Sequence, residues 1–99
     1  MGMDAKARRA LSIIRECVDA KRYVVSRHFT KRMDERMYFW PDVLAVLDKP
    51  GDVRSDGRDR FDRPKWIVVG KTIDDLPVEL VCVLDTDDRG RVTVFITIY

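Results

Sequence analysis

The spacing of apolar residues changes character once along this chain, near its midpoint, and that switch restricts the fold more than any other feature. Up to Pro50-Gly51 apolar residues recur at helical intervals, and beyond it they alternate or run on continuously as strands require. Helices first and strands second predict an α+β fold of two layers, two or three N-terminal helices packed on a four-stranded antiparallel meander. The chain has 99 residues, with no repeat, linker or low-complexity tract, and residues 1–99 read as one domain.

The first helix is expected from about Asp4 to Lys21, with Asp4 as its cap and Leu11, Ile14 and Val18 on one face. Lys21 and Arg22 suit its negative end. Tyr23-Val24-Val25 interrupts the helical pattern, and Ser26 offers a new cap. A second helix, Arg27 to about Met37, is expected to turn Phe29, Met33 and Met37 inward. A third runs from Pro41 to Asp48 and stops at Pro50-Gly51. Strands follow at Asp52–Ser55, with Asp56-Gly57 as turn, then at Lys65–Thr72 and Val78–Asp85, the last apolar enough to be central. In the final strand, Arg91–Tyr99, Val92, Val94, Ile96 and Ile98 are expected on one face, and Thr93, Phe95, Thr97 and Tyr99 on the other.

Composition narrows the class of function. Hydrophobic residues at 45% and charged residues at 36% exclude a disordered, collagenous or coiled-coil chain. No apolar run approaches the roughly 18 residues of a membrane span. The opening MGMDAKARRALSII lacks the apolar stretch of a signal peptide, and Met1-Gly2 reads as an expression remnant ahead of Met3. Cys17 and Cys82 sit in apolar patterns and read as reduced core residues, which fits the cytoplasm and no membrane partner. Residues 1–50 carry eleven Lys/Arg against seven Asp/Glu, and residues 51–99 eight against ten. A mildly basic helical half is compatible with an anionic ligand.

Three familiar motifs fail on inspection. Gly70-Lys71-Thr72 lacks the earlier glycine of a phosphate-binding loop, since Lys65 stands there, and a turn follows in place of a helix. Asp85, Asp87, Asp88 and Gly90 suggest a calcium loop, but Arg89 takes a ligand position and Ile96 replaces the closing glutamate. One histidine and two scattered cysteines make no zinc set, so no metal or other cofactor is expected.

The informative segment is Ser26-Arg27-His28-Phe29-Thr30-Lys31-Arg32-Met33-Asp34-Glu35-Arg36. At helical pitch His28, Arg32 and Arg36 drift only about 40° per step, and Lys31 and Glu35 share their stripe. A solvated face with local ion pairs is the ordinary explanation. Against it, Arg27, His28 and Lys31 crowd the end of a helix where cations are disfavoured, an inconsistency typical of functional sites. The chain's only histidine stands there, where neighbouring guanidiniums and the helix N-terminus favour the neutral imidazole that accepts a proton.

A second basic run, Arg54, Arg58, Arg60, Arg63 and Lys65, interleaves with Asp56, Asp59 and Asp62 and reads mainly as a solvated loop of self-cancelling charge. Lys65, at the start of a strand, is expected to face the same cleft as the helix stripe. Tyr99 closes the last strand, with terminal packing as its ordinary role.

Ser26-Arg27-His28, Arg32-Met33, Glu35-Arg36, Asp42-Val43, Pro50, Val68-Val69-Gly70 and the ending Ile96-Thr97-Ile98-Tyr99 together resemble a bacterial family of small uncharacterised domains. That family is grouped with RelE/ParE-like toxins and is similar to the BrnT and MqsR types. The likeness spans about residues 23–99, and Met37 and Phe39 depart from it, standing where the family usually has Gly and Ser. The resemblance implies a RelE-like fold and metal-independent cleavage of mRNA, free or on the ribosome, by 2′-OH attack on the phosphodiester. It also implies a cognate antitoxin as partner. Carried over, it makes His28 the base or acid, Arg32 and Arg36 phosphate clamps, Lys65 a further cation, and Tyr99 a stacking or proton-transfer group. Arg27, Lys31 and Arg63 would be additional RNA contacts. The alternatives are a non-catalytic RNA- or protein-binding module using the same His28/Arg32/Arg36 face, and a degenerate member that keeps the fold without the activity.

Overall fold

The computed structural model describes residues 3–99; Met1 and Gly2, expected to be a remnant, lie outside the described residues. Helix α1 (Ala5–Asp19) starts where Asp4 Oδ1 accepts the Ala7 N–H at 2.7 Å, and it buries Ala7, Ala10, Leu11, Ile14 and Cys17. The chain continues through β1 (Tyr23–Val25), α2 (Arg27–Arg36), α3 (Trp40–Asp48), β2 (Asp52–Arg58), β3 (Pro64–Lys71), β4 (Pro77–Asp87) and β5 (Gly90–Ile98). None of the helices described is long and apolar enough to cross a membrane.

The fold is α+β, with three helices on a single sheet of five strands in the order β1-β5-β4-β3-β2. This corrects the expectation of a four-stranded antiparallel meander. Tyr23-Val24-Val25, expected only as a break between helices, is a strand parallel to β5, pairing Tyr23 with Thr93, Val24 with Val94 and Val25 with Phe95. An aromatic and two β-branched residues favour extended backbone. Their partner, though, lies some seventy residues away, beyond the reach of any local pattern. The other pairings are antiparallel and put β4 at the centre, as its continuous apolar run required.

Strand β2 is longer than its sequence indicated. Ser55 stands opposite Trp66 and Arg58 opposite Pro64, so β2 carries one extra residue in a bulge. Gly57 adopts φ 75 there, so Asp56-Gly57 kinks a strand and does not end it.

All three helices pack on one face of the sheet. Ala7, Leu11 and Ile14 of α1, Phe29 of α2, and Val43, Val46 and Leu47 of α3 meet Val53, Val68, Val78, Leu80, Cys82, Phe95 and Ile98. Aromatic rings gather at the β1 side: Tyr23 stacks on Trp40 at 5.0 Å, and Trp40 and Phe29 each lie 5.5 Å from Phe95. At Gly70 the β3 backbone passes so close to α3 that a Cβ would stand 2.9 Å from Val46 Cγ1.

A bulge in β5 sets the register of its end. Val81 pairs with Thr97 and Cys82 with Phe95, leaving Ile96 as an extra residue. The unbroken alternation expected for Arg91–Tyr99 is therefore wrong past Phe95. Ile98 joins Phe95 in the core, while Thr97 and Tyr99 turn to the face away from the helices. Tyr99 continues the ladder, its N–H donating to Glu79 O at 2.9 Å and its carbonyl accepting from Glu79 N at 3.0 Å.

Candidate functional site

Where β1 stops, the edge of β5 would expose its carbonyls, and helix α2 takes up that position. The Ser26 N–H donates to Phe95 O at 2.9 Å. Its Oγ donates to the bulge carbonyl of Ile96 at 2.7 Å while accepting from Phe29 N at 3.0 Å. Two turns on, Arg32 Nε donates to Ile98 O at 3.3 Å. The guanidinium carbon of Arg32 lies 5.5 Å from the Tyr99 ring centre. With fully buried Phe29 as its apolar anchor, α2 and its cap are thus pinned to the strand at three carbonyls.

The helix ends in a left-handed turn. Met37 has φ 58, and the N–H of Tyr38 reaches back to Met33 O at 2.9 Å, the pattern that usually selects glycine. Met37 was expected on the inward face; instead it is 77% exposed, because the left-handed residue leaves the helical spacing. Tyr38 and Trp40 pack against the core in its place.

Along the outer face His28 and Arg36 flank Arg32, four residues to either side, both exposed. Among the described residues neither makes a hydrogen bond or ion pair to a side chain, and Arg27 is likewise without one. Lys31 is matched by Glu35 at 4.0 Å. The Arg32 fork keeps its terminal nitrogens unbonded among the described residues. The structure therefore brings together Arg27, His28, Lys31, Arg32, Arg36 and Tyr99.

Arg63 and Lys65 are not part of this group. Tyr99 aligns through Glu79 with Val69, whereas Arg63 precedes the Pro64 end of β3, about 17 Å away along the strand. Arg63 is held by two carboxylates: Nη2 lies 2.7 Å from Asp59 Oδ2 and Nη1 2.9 Å from Asp85 Oδ2. The Arg63 hydrogen bond holds the Asp59 carboxyl below its ordinary range, and these two acids raise the Arg63 pKa in turn. Asp85 is lowered first by the Thr86 N–H and then by Arg63. Lys65 pairs with Val83 on the sheet face away from the helices, and its Nζ is 3.3 Å from Asp56. Its expected place in the helix cleft is corrected: it shares the sheet face of Tyr99, away from the helices, but stands four residues from Val69 along β3, about 13 Å.

The sequence marked Ser26 as a helix cap but carried no sign of its second bond, because that bond depends on a bulge in a distant strand. Both cysteines are free and buried, and burial pushes the Cys82 thiol pKa up. Among the described residues no three His, Cys, Asp or Glu side chains gather as a metal site. A row of unmatched cations with one guanidinium fixed beside an aromatic ring is suited to an oxyanion of a nucleic-acid backbone.

No curated protein and no solved structure matches the chain. A family model described as a domain of unknown function, DUF4258, matches residues 25–99, from the last residue of β1 through β5, and so takes in every element that builds this edge. The chain belongs to the DUF4258 family.

Proposed function

We propose that this chain is a RelE-like ribonuclease toxin that binds RNA along the α2–β5 edge and cleaves it without a metal ion, a cognate antitoxin holding it inactive. The observation that carries the reading is the state of Arg32. Its Nε is tethered to the Ile98 carbonyl and its plane lies near Tyr99, so the remaining N–H groups are oriented before any ligand arrives. In the reaction the 2′-oxygen bonds to phosphorus as its proton leaves to a base. The bond to the 5′-oxygen breaks as that oxygen takes a proton, giving a 2′,3′-cyclic phosphate and a 5′-hydroxyl. His28 serves one of these proton transfers and Tyr99 the other, while Arg32 and Arg36 balance charge on the phosphoryl oxygens.

A non-catalytic binding module is the second reading, and it has an observation of its own. His28 is exposed, with no group orienting its ring among the described residues, whereas proton-transfer histidines are commonly held by a partner. Expression without a partner separates the two. The toxin reading expects growth arrest that Arg32→Ala or His28→Ala relieves, and normal growth at good wild-type expression contradicts it.

A further inference from the structure

The tip of the β2–β3 hairpin holds the feature that the α2–β5 edge does not explain. Phe61 is 63% exposed, and no other large apolar side chain of that hairpin end is exposed. It is nevertheless held in place. Asp59 Oδ1 accepts the N–H of Phe61 at 3.0 Å and of Arg63 at 2.9 Å, closing the loop on itself. The guanidinium carbon of Arg60 lies 4.9 Å from the Phe61 ring centre and that of Arg63 5.0 Å. Arg63 is engaged by Asp59 and Asp85, but Arg60 has no ion pair among the described residues. Arg58 Nη1 donates to Asp62 O at 2.7 Å and its Nε lies 3.6 Å from Asp62 Oδ1, with both side chains more than half exposed.

We infer that this tip is a second nucleic-acid contact, where an unpaired base stacks on Phe61 and the neighbouring phosphates meet Arg58 and Arg60. An isolated exposed aromatic ring is a poor docking patch for a protein, which needs a contiguous apolar area. The same ring beside the unpaired guanidinium of Arg60 is an arrangement that binds single strands without regard to sequence. The inference rests on the RNA-binding reading of the α2–β5 edge and extends it, since the tip lies at the far end of β3 from Tyr99. Only an RNA long enough to reach both places uses the tip.

The test measures fluorescence anisotropy with two unstructured RNAs, of about four and about twelve nucleotides. It is run on the wild type, Phe61→Ala, Phe61→Tyr, Arg60→Ala and Arg32→Ala. Phe61→Ala is expected to weaken the longer RNA roughly tenfold and leave the shorter unchanged, with Phe61→Tyr binding as wild type. Arg60→Ala is expected to lower the salt slope for the longer RNA alone by about 0.7. Arg32→Ala weakens both RNAs. If Phe61→Ala binds the longer RNA as the wild type does, the tip is not a contact, while an Arg32→Ala defect leaves the α2–β5 reading standing. If the wild type binds neither RNA, both fail together.

Discussion

Arg32 and Tyr99 are organised by one strand end: Arg32 Nε donates to the carbonyl of Ile98, and its guanidinium carbon lies 5.5 Å from the ring of the next residue, Tyr99. Lysine at position 32 would keep the charge but could not hold the strand carbonyl and present a planar fork together. Arg32→Lys is therefore expected to weaken RNA binding roughly tenfold with the salt slope unchanged, and Arg32→Ala to lower the slope by about 0.7 as well. Salt titrations of the three proteins measure this. Wild-type affinity in Arg32→Lys would mean that only the charge matters.

Ser26 joins the helix to the β5 bulge with one hydroxyl, which donates to Ile96 O and accepts from Phe29 N. Ser26→Ala removes both bonds and is expected to cost about 1–2 kcal/mol, visible in the urea midpoint. A change within a few tenths would show that the bulge holds without it.

Met37 stands in a left-handed conformation, φ 58, with its side chain in solvent. A Cβ there is strained, and Met37→Gly is expected to stabilise the fold by about 1 kcal/mol. For a domain of this size that corresponds to roughly 4–8 °C in Tm. An unchanged or lower Tm would show that the turn is not strained.

The contrast between Ser26 and Met37 indicates what the sequence makes legible. Both helix caps, Asp4 and Ser26, and the anchor Phe29 follow from neighbours within a few residues, and the structure places them as their local pattern implies. So does the central place of β4, whose composition alone demands burial on both faces. What was not legible depends on partners far away in the chain. Tyr23–Val25 is a strand only because β5 lies beside it, and Tyr99 turns outward only because Ile96 bulges. Of the candidate site, the α2 row was readable from helical periodicity. The cancelled charge around Arg63 and Lys65 was legible too, from the interleaved Asp56 and Asp59, but the second partner of Arg63, Asp85, is set by the sheet register.

Close packing at Gly70 gives a test of the α3–β3 contact. Gly70→Ala places a Cβ 2.9 Å from Val46 Cγ1 and is expected to destabilise by roughly 1–3 kcal/mol. Val46→Ala in the same chain is expected to cost less than when introduced alone, because it makes room for that Cβ. Strict additivity of the two changes in denaturant unfolding would contradict the contact.

The acid limb of stability is expected to depend on Arg63. Asp59 is lowered chiefly by Arg63, Asp85 by the Thr86 N–H and then Arg63, and Asp87 by Arg22. A carboxyl whose folded pKa is depressed contributes fully above its unfolded value, about 4, and loses that contribution as pH falls through the lower folded value. Urea midpoints should therefore drop below about pH 4. In Arg63→Met the neutral-pH midpoint should be lower and the acid drop shallower. Equal steepness in both proteins would remove the network from the account.

Single-turnover cleavage of an unstructured RNA in EDTA, measured beside RNA affinity, tests the central claim most directly. The wild type is expected to cleave and leave 2′,3′-cyclic phosphate ends. His28→Ala is expected to bind nearly as tightly and to cleave roughly 10²–10⁴-fold more slowly, whereas Arg36→Ala loses affinity and about 0.7 of the salt slope. A wild type that binds RNA without cleaving it, or a His28→Ala variant that cleaves at the wild-type rate, would contradict the assignment.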